Sequence, residues 1–327
     1  MADCVTVAVA ARLHLGFLDL NGELGRRFGG LGLAVDEPET VLELSRSRAD
    51  SAAGPQADRA RRYLDSLVGR LGLPAGHRLV IRRAIPAHAG LGSGTQLALA
   101  VAAALRRLHA LAPDVEADAL FLDRGARSGL GTSFFGEGGI ALDGGRGDAD
   151  RPAPIISRLP FPEEWHVLLV LDPARQGIHG MDEVAAFKAL PPFPAELAAH
   201  LCRLAVMQAL PAVVEHDIKS FGHAVAEMQA HIGDHFRPVQ GGRFASPDVA
   251  ATLELLAANG AEGCGQSSWG PTGFGFAASA AEARKLRDAA APLAAEKGLE
   301  IMGVKARNGG ARIGETAQVV QRGALHG

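Results

Sequence analysis

The sequence predicts an α+β fold divided into two domains. Patterns typical of strands and of helices occur in both halves of the chain, without the regular alternation of a doubly wound parallel sheet. The length of 327 residues exceeds the usual size of a single domain. Residues 144–162 are rich in Gly, Pro and charge, which is typical of a boundary. We therefore expect domains at 1–160 and 161–327.

The first half contains apolar patterns of both periods. Alternating apolar residues predict strands, and apolar residues at intervals of three and four predict helices. By these rules we expect strands at 5–10, 41–44 and 79–85, and helices at 57–71 and 95–111. The second of these helices directly follows a glycine-rich segment, so the local order is strand, glycine turn, helix.

The second half is also mixed. Apolar runs with flanking turn residues predict three more strands. Helical spacing predicts three helices, the first two divided at Pro211, which removes a backbone donor. The expected strands are 166–172, 273–278 and 299–305, and the expected helices are 195–210, 212–232 and 280–296.

Composition excludes several classes of protein. A net charge of −3 and an isoelectric point of about 6.5 argue against general binding to nucleic acid or to an anionic membrane. Cys4, Cys202 and Cys264 are far apart and form no CxxC pair, which argues against a disulfide framework or a structural zinc site. The N-terminus lacks the pattern of a signal peptide, and no apolar stretch is long enough to span a membrane. We expect a cytoplasmic protein.

The most informative segment is a glycine-rich loop placed between a predicted strand and a predicted helix. Glycine allows positive φ and a close approach of the backbone to a ligand, and a helix N-terminus suits phosphate. The loop lacks the Lys of a Walker A motif. It is either an anion-binding loop or a tight turn capped by Ser93 or Thr95. The candidate binding residues are Gly90, Gly92, Ser93, Gly94, Thr95 and Gln96.

Two pairs of basic residues near the N-terminus are further candidates. Arg12 and His14 are two residues apart in an extended segment and therefore project from the same side. They are either anion contacts, with His14 as a possible acid or base, or a pair at a strand end that faces solvent. Arg26 and Arg27 precede a Phe-Gly-Gly turn. They either reach a phosphate or carboxylate from a mobile loop or belong to a solvated turn.

Two segments in the middle of the chain offer carboxylates. The glycine-rich segment 127–139 contains Thr132 and Glu137, and its adjacent Phe134 and Phe135 either line a ring pocket or belong to the core of a hairpin. Asp172 ends a predicted strand, and a carboxylate at that position is either a ligand for Mg²⁺ or a structural turn residue.

A second glycine-rich loop, 263–275, lies late in the chain. Gln266, Ser267, Ser268 and Trp269 either close over a phosphate and stack on a ring, or form a hairpin that packs against the first glycine loop. His231 and His235 have the spacing of metal ligands on a helix, but no HExxH pattern accompanies them. We interpret that pair as a helix end at the surface.

Three of these segments together resemble the GHMP kinase superfamily. The PxxxGLGS run ending at Ser93 resembles its central motif, and the segments 11–16 and 263–275 lie where its other two motifs occur. Two departures set the chain apart from the kinases: Ser93-Gly94-Thr95-Gln96 replaces a Ser-Ser pair, and His14 replaces an Asn. With segments 11–22, 26–35, 127–139 and 176–180, the sequence is most similar to the β-ribofuranosylaminobenzene 5′-phosphate synthase branch.

The resemblance implies a two-domain GHMP-kinase-like fold with an N-terminal ribosomal-protein-S5-like domain and a C-terminal ferredoxin-like domain. It also implies condensation of phosphoribosyl pyrophosphate with 4-aminobenzoate or 4-hydroxybenzoate, with release of CO2 and pyrophosphate and use of Mg²⁺. On that basis Arg12, His14 and Asp172 are the expected catalytic residues, and Glu137 and Asp172 the expected metal ligands.

Two other functions remain open at this stage. The generic PxxxGLGS loop also fits an ATP-dependent small-molecule kinase, and a non-catalytic module that binds a phosphorylated ligand would need the same loop. The expected partners are small molecules, without nucleic acid or membrane, and a homodimer is allowed for.

Overall fold

The structure is a computed structural model that describes residues 3–125, 128–147 and 152–316. These residues form two sheets and the helices that cover them. The strands are β1 Cys4–Asp19, β2 Phe28–Arg46, β3 Ser51–Ala53, β4 His77–Arg83, β5 Ile140–Asp143, β6 Ile155–Leu159, β7 His166–Leu171, β8 Glu262–Gln266, β9 Gly273–Ala277, β10 Glu300–Lys305 and β11 Arg312–Thr316. The helices are α1 Ala57–Leu71, α2 Ser93–Leu108, α3 Val115–Phe121, α4 Leu130–Gly136, α5 Gly180–Ala189, α6 Ala195–Leu204, α7 Leu210–Glu215, α8 Ile218–Gln240, α9 Pro247–Ala258 and α10 Ala280–Lys297.

The larger sheet is built on a long antiparallel hairpin of β1 and β2. Its strand order is β11-β1-β2-β4-β3, with β5 beside β2 and β6 beside β5. Helix α2 packs against β1, and so do α6 and α8 from the second half of the chain. Because helices cover it, β1 is buried along almost its whole length rather than at alternate residues. The alternating pattern at 5–10 therefore revealed only the first part of a strand of 16 residues.

The smaller sheet has the order β10-β7-β9-β8 and is antiparallel throughout. Along the chain its elements run strand, helices, two strands, helix, strand, which is the ferredoxin-like topology. The predicted α+β class and the ferredoxin-like C-terminal part are confirmed. Strand β11 leaves this part of the chain and pairs with β1. The boundary at 160/161 stays a prediction, and four residues of the boundary segment, 148–151, lie outside the described ranges.

The main hydrophobic core joins the two sheets. Leu13 and Leu33 from the larger sheet are buried in one cluster with Leu169 and Phe274 from the smaller sheet. A second cluster lies between α1, α2 and the outer strands of the larger sheet, and a third lies under α9 and α10. A shared core fixes the relative position of β1 and the late glycine-rich loop, which leads directly into β9.

Most predicted elements are confirmed, and the errors have local causes. The helix does not break at Pro211: a π-turn at Ala205–Ala209 precedes it, and Pro211 occupies the first turn of α7, where no backbone donor is needed. The break comes instead at Asp217, whose side chain accepts hydrogen bonds from the first turn of α8. The glycine-rich segment 127–139, interpreted as loop or hairpin, contains α4, and its first residue is outside the described ranges.

One helical run among the described residues, Ala195–Glu215, is long and apolar enough to cross a membrane by length and composition alone. Its mean hydropathy is 1.6. Leu201, Leu204 and Ala209 from this run are buried in the main core. About 44% of its most apolar window is buried, and the core helix of a soluble protein passes the same test of length and composition.

Candidate active site

The structure brings the three predicted motif segments together. The backbone N–H of Arg12 donates to the carbonyl oxygen of Leu91 at 3.1 Å. The backbone N–H of His14 donates to Ser267 Oγ at 3.0 Å, and Ser267 Oγ in turn donates to the carbonyl oxygen of Gly90 at 2.8 Å. Strand β1, the first glycine loop and the late loop thus meet at one place.

The first glycine loop places the N-terminus of α2 at this junction. Gly90 and Gly92 have φ of 79° and 76°, a conformation that favours glycine. Gly92 is the N-cap residue of α2 and offers no side chain to the first turn. The capped turn that we considered as an alternative, with Ser93 or Thr95 at the cap, is therefore wrong. Both residues lie inside the helix, whose N-terminus suits an anion.

Three guanidinium groups lie against this loop. A Cβ at Gly92 would lie 2.8 Å from Arg12 Cγ, and a Cβ at Gly94 would overlap Nη2 of Arg59 and lie 3.5 Å from Nη1 of Arg124. Three like charges around a helix N-terminus repel one another unless an anion lies between them. This arrangement is the strongest indication of a phosphate or pyrophosphate site.

Arg59 and Arg124 did not stand out in the sequence. Arg59 lies on α1 and donates from Nε to the Tyr63 hydroxyl at 3.0 Å, and the guanidinium carbons of Arg59 and Arg124 lie 5.9 and 5.5 Å from the centre of the Tyr63 ring. The only local signal was an Arg and a Tyr four residues apart on the half-buried side of α1, which is too common a pattern to identify a site.

Several buried polar atoms near the loop have no hydrogen-bond partner among the described residues. They include Gln96 Oε1, Thr132 Oγ1 and Arg124 Nε. Gln96 is held in place because its Nε2 donates to the Gly131 carbonyl oxygen at 2.8 Å. A buried polar atom without a partner costs about 1–3 kcal/mol, so these atoms indicate a place for a polar ligand.

A buried carboxylate that the sequence analysis missed lies close to Arg12. Asp143, at the end of β5, accepts hydrogen bonds from Ser128 Oγ at 2.6 Å and from the Gly145 N–H at 3.0 Å. Burial raises the pKa of its carboxyl group, and the nearby Arg12 acts in the opposite direction. Asp143 can therefore balance part of the positive charge of the site or share it with a bound cation.

His14 is buried, with 3% of its surface exposed. Burial, and secondly the charge of Arg12, lower the pKa of His14 from 6.5 to about 3. Burial therefore favours the neutral ring, which does not fit a charged anion contact. The role of His14 as an acid or base stays a prediction. The ring packs on Phe17 with centroids 4.3 Å apart, and a Cβ at Gly30 would lie 2.8 Å from His14 Nε2.

Arg26 and Arg27 are held by backbone carbonyl groups. Arg26 donates from Nε to Gly144 and from Nη2 to Gly145, both at 2.8 Å, and Arg27 donates from Nη2 to Leu20 at 3.1 Å. The structure does not place them on the first glycine loop. Arg27 instead lines a separate cleft.

That cleft has a volume of about 700 Å³. Its walls include the aromatic rings of Phe28, Phe187 and Phe193 and the cationic side chains of Arg27 and Lys188. Aromatic walls with a few cations suit a flat aromatic acid. Phe28 lies 6.2 Å from Phe17, the ring that packs on His14, so the cleft adjoins the junction of the three segments.

The late loop supports the junction rather than offering side chains to a ligand. Trp269 is buried, stacked on Phe236 at 4.0 Å, with the edge of Phe187 at 5.2 Å, so its expected role as a platform for a substrate ring is wrong. Gln266 Oε1 accepts from the Ala245 N–H, and Ser267 bonds to the first loop. The alternative of a hairpin packed against the first glycine loop describes it better.

Ser268 differs from its neighbours in the late loop. It has φ of 56°, and it lines a small polar cavity together with His14 and Gln240.

The two expected metal ligands have separate partners. Glu137 is exposed and forms an ion pair with Arg158 at 3.3 Å. Asp172 accepts a hydrogen bond from Ser246 Oγ, the N-cap of α9, at 2.6 Å, and another from the Ala174 N–H. The pair does not fit a joint Mg²⁺ site. The expected ring pocket also fails, because Phe134 and Phe135 are buried in the core.

Comparisons with known proteins agree with this geometry. Residues 58–134 match the GHMP kinases N terminal domain family, and residues 209–293 match the GHMP kinases C terminal family. The chain is 34% identical to the β-ribofuranosylphenol 5′-phosphate synthase of Archaeoglobus fulgidus over 93% of its own length and 97% of the relative. It is 32% identical to the protein of the same name from Methanothermobacter thermautotrophicus, over 80% and 85%. The chain belongs to the β-ribofuranosylphenol 5′-phosphate synthase family.

Solved structures show that this synthase family shares its fold with kinases and a decarboxylase. Homoserine kinase from Cytophaga hutchinsonii matches with a TM-score of 0.68 at 19% identity, covering 96% of this chain and 98% of that one. Mevalonate diphosphate decarboxylase from Staphylococcus aureus matches with a TM-score of 0.64 at 14% identity, covering 96% and 99%. At such identities the likeness concerns the fold alone. The predicted family and GHMP-type fold are confirmed.

Proposed function

We propose that the protein is a decarboxylating phosphoribosyl-type transferase. It condenses phosphoribosyl pyrophosphate with 4-hydroxybenzoate or 4-aminobenzoate to give a β-ribofuranosyl-arene 5′-phosphate, CO2 and pyrophosphate, a step of tetrahydromethanopterin biosynthesis. The observation that carries the proposal is the group of Arg12, Arg59 and Arg124 around the N-terminus of α2 in a chain of this synthase family. The name of the curated relatives favours 4-hydroxybenzoate as the acceptor.

The loop and its three arginines bind the pyrophosphate of the donor in this proposal. Backbone N–H groups of the first turn of α2 and the guanidinium groups face the charge that grows on the leaving oxygen as the anomeric C–O bond breaks. Donors already in position for that charge lower the barrier without reorganising; removing one such donor from an enzyme typically costs ~10²–10³ in rate. Their fixed placement also holds the anomeric carbon in line with the acceptor.

The cleft beside the junction binds the aromatic acid. Phe28, Phe187 and Phe193 hold the ring, and Arg27 or Lys188 receives the carboxylate at first binding. The ring carbon that bears the carboxylate forms a bond to the anomeric carbon while pyrophosphate leaves with the electron pair of the C–O bond. The C–COO⁻ bond then breaks, its electron pair restores the aromatic ring, and CO2 departs. Apolar walls favour this conversion of an anion into a neutral product.

Mg²⁺ is part of the proposal, with different ligands from those first expected. Asp143 and Thr132 present the oxygen atoms that this ion prefers, and Asp143 is buried close to Arg12. The ion would spread the charge of the pyrophosphate. We further propose a cytoplasmic location and free small-molecule substrates, without nucleic acid or membrane. The formation of a homodimer stays a prediction, which light scattering can test.

Turnover of carboxyl-labelled acceptor tests the proposal. The purified protein with phosphoribosyl pyrophosphate, Mg²⁺ and [carboxyl-¹⁴C]4-hydroxybenzoate or 4-aminobenzoate is expected to release labelled CO2 and one pyrophosphate per CO2. A preparation that turns over neither acid contradicts it. ATP with a panel of polyols and amino alcohols serves as the parallel assay, because the kinase alternative rests on the fold alone and predicts consumption of ATP there.

A further inference from the structure

A cluster of imidazole and carboxylate side chains lies outside the proposed active site, between α6 and α8. His200 Nε2 on α6 lies 2.7 Å from Glu227 Oε1 on α8. One ligand atom each from His200, Glu227 and His231 lies within 4.8 Å of the other two. His223 Nε2 lies 3.5 Å from the other oxygen of Glu227. Three potential ligands thus surround one small volume, and His223 approaches it through the second oxygen of Glu227.

The spacing of the helix explains why these side chains converge. His223, Glu227 and His231 follow one another at intervals of four residues on α8, which puts them on one face. His200 approaches this face from α6, and its ring lies 5.6 Å from that of His231 with the planes at 86°. The sequence analysis paired His231 with His235 instead, but His235 packs on Phe193 and is not part of the cluster.

We propose that His200, Glu227 and His231 bind one divalent transition-metal ion of the Zn²⁺ class, with His223 as a fourth ligand. Two imidazole nitrogens and a carboxylate oxygen are ligands that Zn²⁺ and its neighbours in the first transition row prefer. Ligand atoms about 2.0–2.1 Å from a tetrahedral ion lie roughly 3.3 Å apart. The atoms here are 2.7 to 4.8 Å apart, so small changes of side-chain torsion bring them to that spacing.

An ordinary ion pair between one imidazole and one carboxylate explains the contacts around Glu227 less well than a metal site does. Elsewhere on the surface, His216 forms an ion pair with Glu164 at 2.5 Å. That pair consists of one imidazole and one carboxylate, whereas three imidazoles lie around Glu227. Three imidazoles and one carboxylate supply nitrogen and oxygen donors in the number that one transition-metal ion takes.

The bound ion would join α6 to α8. The π-turn directly follows α6, and α8 carries Gln229, whose side chain donates to the Leu15 carbonyl oxygen of β1. An ion that binds the folded chain alone raises its melting temperature in proportion to the logarithm of its concentration. This site is independent of the reaction proposed above.

Titration of the metal-free, full-length protein with Co²⁺ tests the proposal, in excess Mg²⁺ so that sites made of oxygen ligands are occupied. We expect one Co²⁺ per chain, the visible absorption of a four-coordinate ion, and a higher melting temperature. His200→Ala and His231→Ala should each weaken binding by about 100-fold or more, since even partners outside the first coordination shell are worth 10–100-fold. His223→Ala should weaken it less.

The matched control is His216→Ala, which removes the imidazole of an ordinary His–Glu pair. It is expected to bind Co²⁺ like the unchanged protein, and circular dichroism checks that every variant is folded. The proposal is overturned if the unchanged protein binds no Co²⁺, or if His200→Ala and His231→Ala bind it as tightly as His216→Ala does. Equal loss in all three variants overturns it as well.

Discussion

The two glycine-rich loops of this protein look alike in sequence and differ in what surrounds them. In the first loop, glycines at positive φ open the N-terminus of α2 to three arginines, and Gln96 Oε1 nearby has no hydrogen-bond partner among the described residues. In the late loop, the side-chain groups of Gln266 and Ser267 are hydrogen-bonded within the protein, and Trp269 is stacked on Phe236. In the proposed function the first loop binds the pyrophosphate of the donor, and the late loop holds the first loop in place through Ser267.

The difference shows which property marks a binding loop. Glycine content and hydroxyl side chains are common to both loops, so neither property separates them. What separates them is charge and packing: three guanidinium groups lie against the first loop, whereas Trp269 of the late loop is packed on Phe236 and Ser267 bonds to the first loop. Buried polar atoms without a partner among the described residues occur at both loops, Gln96 Oε1 at the first and Trp269 Nε1 and Thr272 Oγ1 in the late loop, so they do not separate the two. The following changes test this distinction.

Gly92→Val is expected to have the largest effect. A Cβ there would lie 2.8 Å from Arg12 Cγ, and φ of 76° is unfavourable for a β-branched residue. Displacement of Arg12 and of the first turn of α2 should lower kcat/KM by at least about 10³-fold, the upper range for one lost anion donor. Calorimetry should detect no binding of phosphoribosyl pyrophosphate.

Gly303→Ala is the matched control. It changes a glycine of β10 whose Cβ would meet no atom within 4 Å, and it should leave binding unchanged. If Gly92→Val is folded by circular dichroism and binds phosphoribosyl pyrophosphate with unchanged affinity, the first glycine loop is not the anion site.

Arg59→Met keeps the length and apolar part of the side chain and removes the guanidinium. Because this group lies against Gly94, kcat/KM should fall by about 10²-fold, which corresponds to one lost donor to a developing anion. The free energy of unfolding should change by about 1 kcal/mol, the usual net value of one hydrogen bond, because the bond from Arg59 Nε to the Tyr63 hydroxyl is lost. Initial rates at varied phosphoribosyl pyrophosphate measure the loss.

Arg62→Met controls for the removal of a positive charge from α1. Arg62 is exposed on the same helix, three residues from Arg59. It is expected to keep at least half of the original kcat/KM. Equal losses in the two variants would mean that Arg59 acts through the general field of the protein and does not contact the donor.

The sequence predicted the site where patterns are local and missed it where they are not. The order strand, glycine turn, helix at Gly90–Gln96 is set by neighbouring residues. The structure begins α2 at Ser93 and ends it at Leu108, within one turn of the expected 95–111. Arg59, Arg124 and Asp143 come from separate elements, and only the folding of the chain brings them to the loop. No spacing of residues in the sequence indicates that these three side chains lie close to the loop.

The errors of function and of fold have a common cause. For Trp269 and the Phe134–Phe135 pair, one of the two alternatives was a ring-binding role, because aromatic residues among glycines often bind ligands. In the structure the main core reaches into the late loop, and α4 turns both phenylalanines into the core. In each case, elements far away in the sequence bury the aromatic ring. A single sequence gives little direct information about which side chains are buried.

Ser267→Ala tests whether the late loop supports the first glycine loop. The change removes the hydroxyl that accepts from the His14 N–H and donates to the Gly90 carbonyl oxygen, and it leaves both backbone groups buried without that partner. We expect a loss of about 1–3 kcal/mol in the free energy of unfolding, measured with urea. The KM for the aromatic acid should change less than twofold. A loss of activity without a loss of stability would instead place Ser267 on the substrate.

The smallest expected effect concerns His14, which packs on Phe17 where β1 and the two glycine-rich loops meet. Burial and Arg12 lower its folded-state pKa from 6.5 to about 3, so the unfolded chain binds the proton more readily. This contribution to stability is complete above pH 6.5 and is lost as the pH falls toward 3, by about 1.4 kcal/mol per pH unit. Between pH 7.0 and 5.5 the unchanged protein should therefore lose about 1.3 kcal/mol more than His14→Gln, in which residue 14 does not titrate.

Urea unfolding at the two pH values measures both losses, and the titration of the other histidines is common to the two proteins. Equal losses would show that His14 is protonated as easily in the folded state as in the unfolded chain. His14 would then be assigned to the substrate-binding site and not to the contacts that support the first glycine loop.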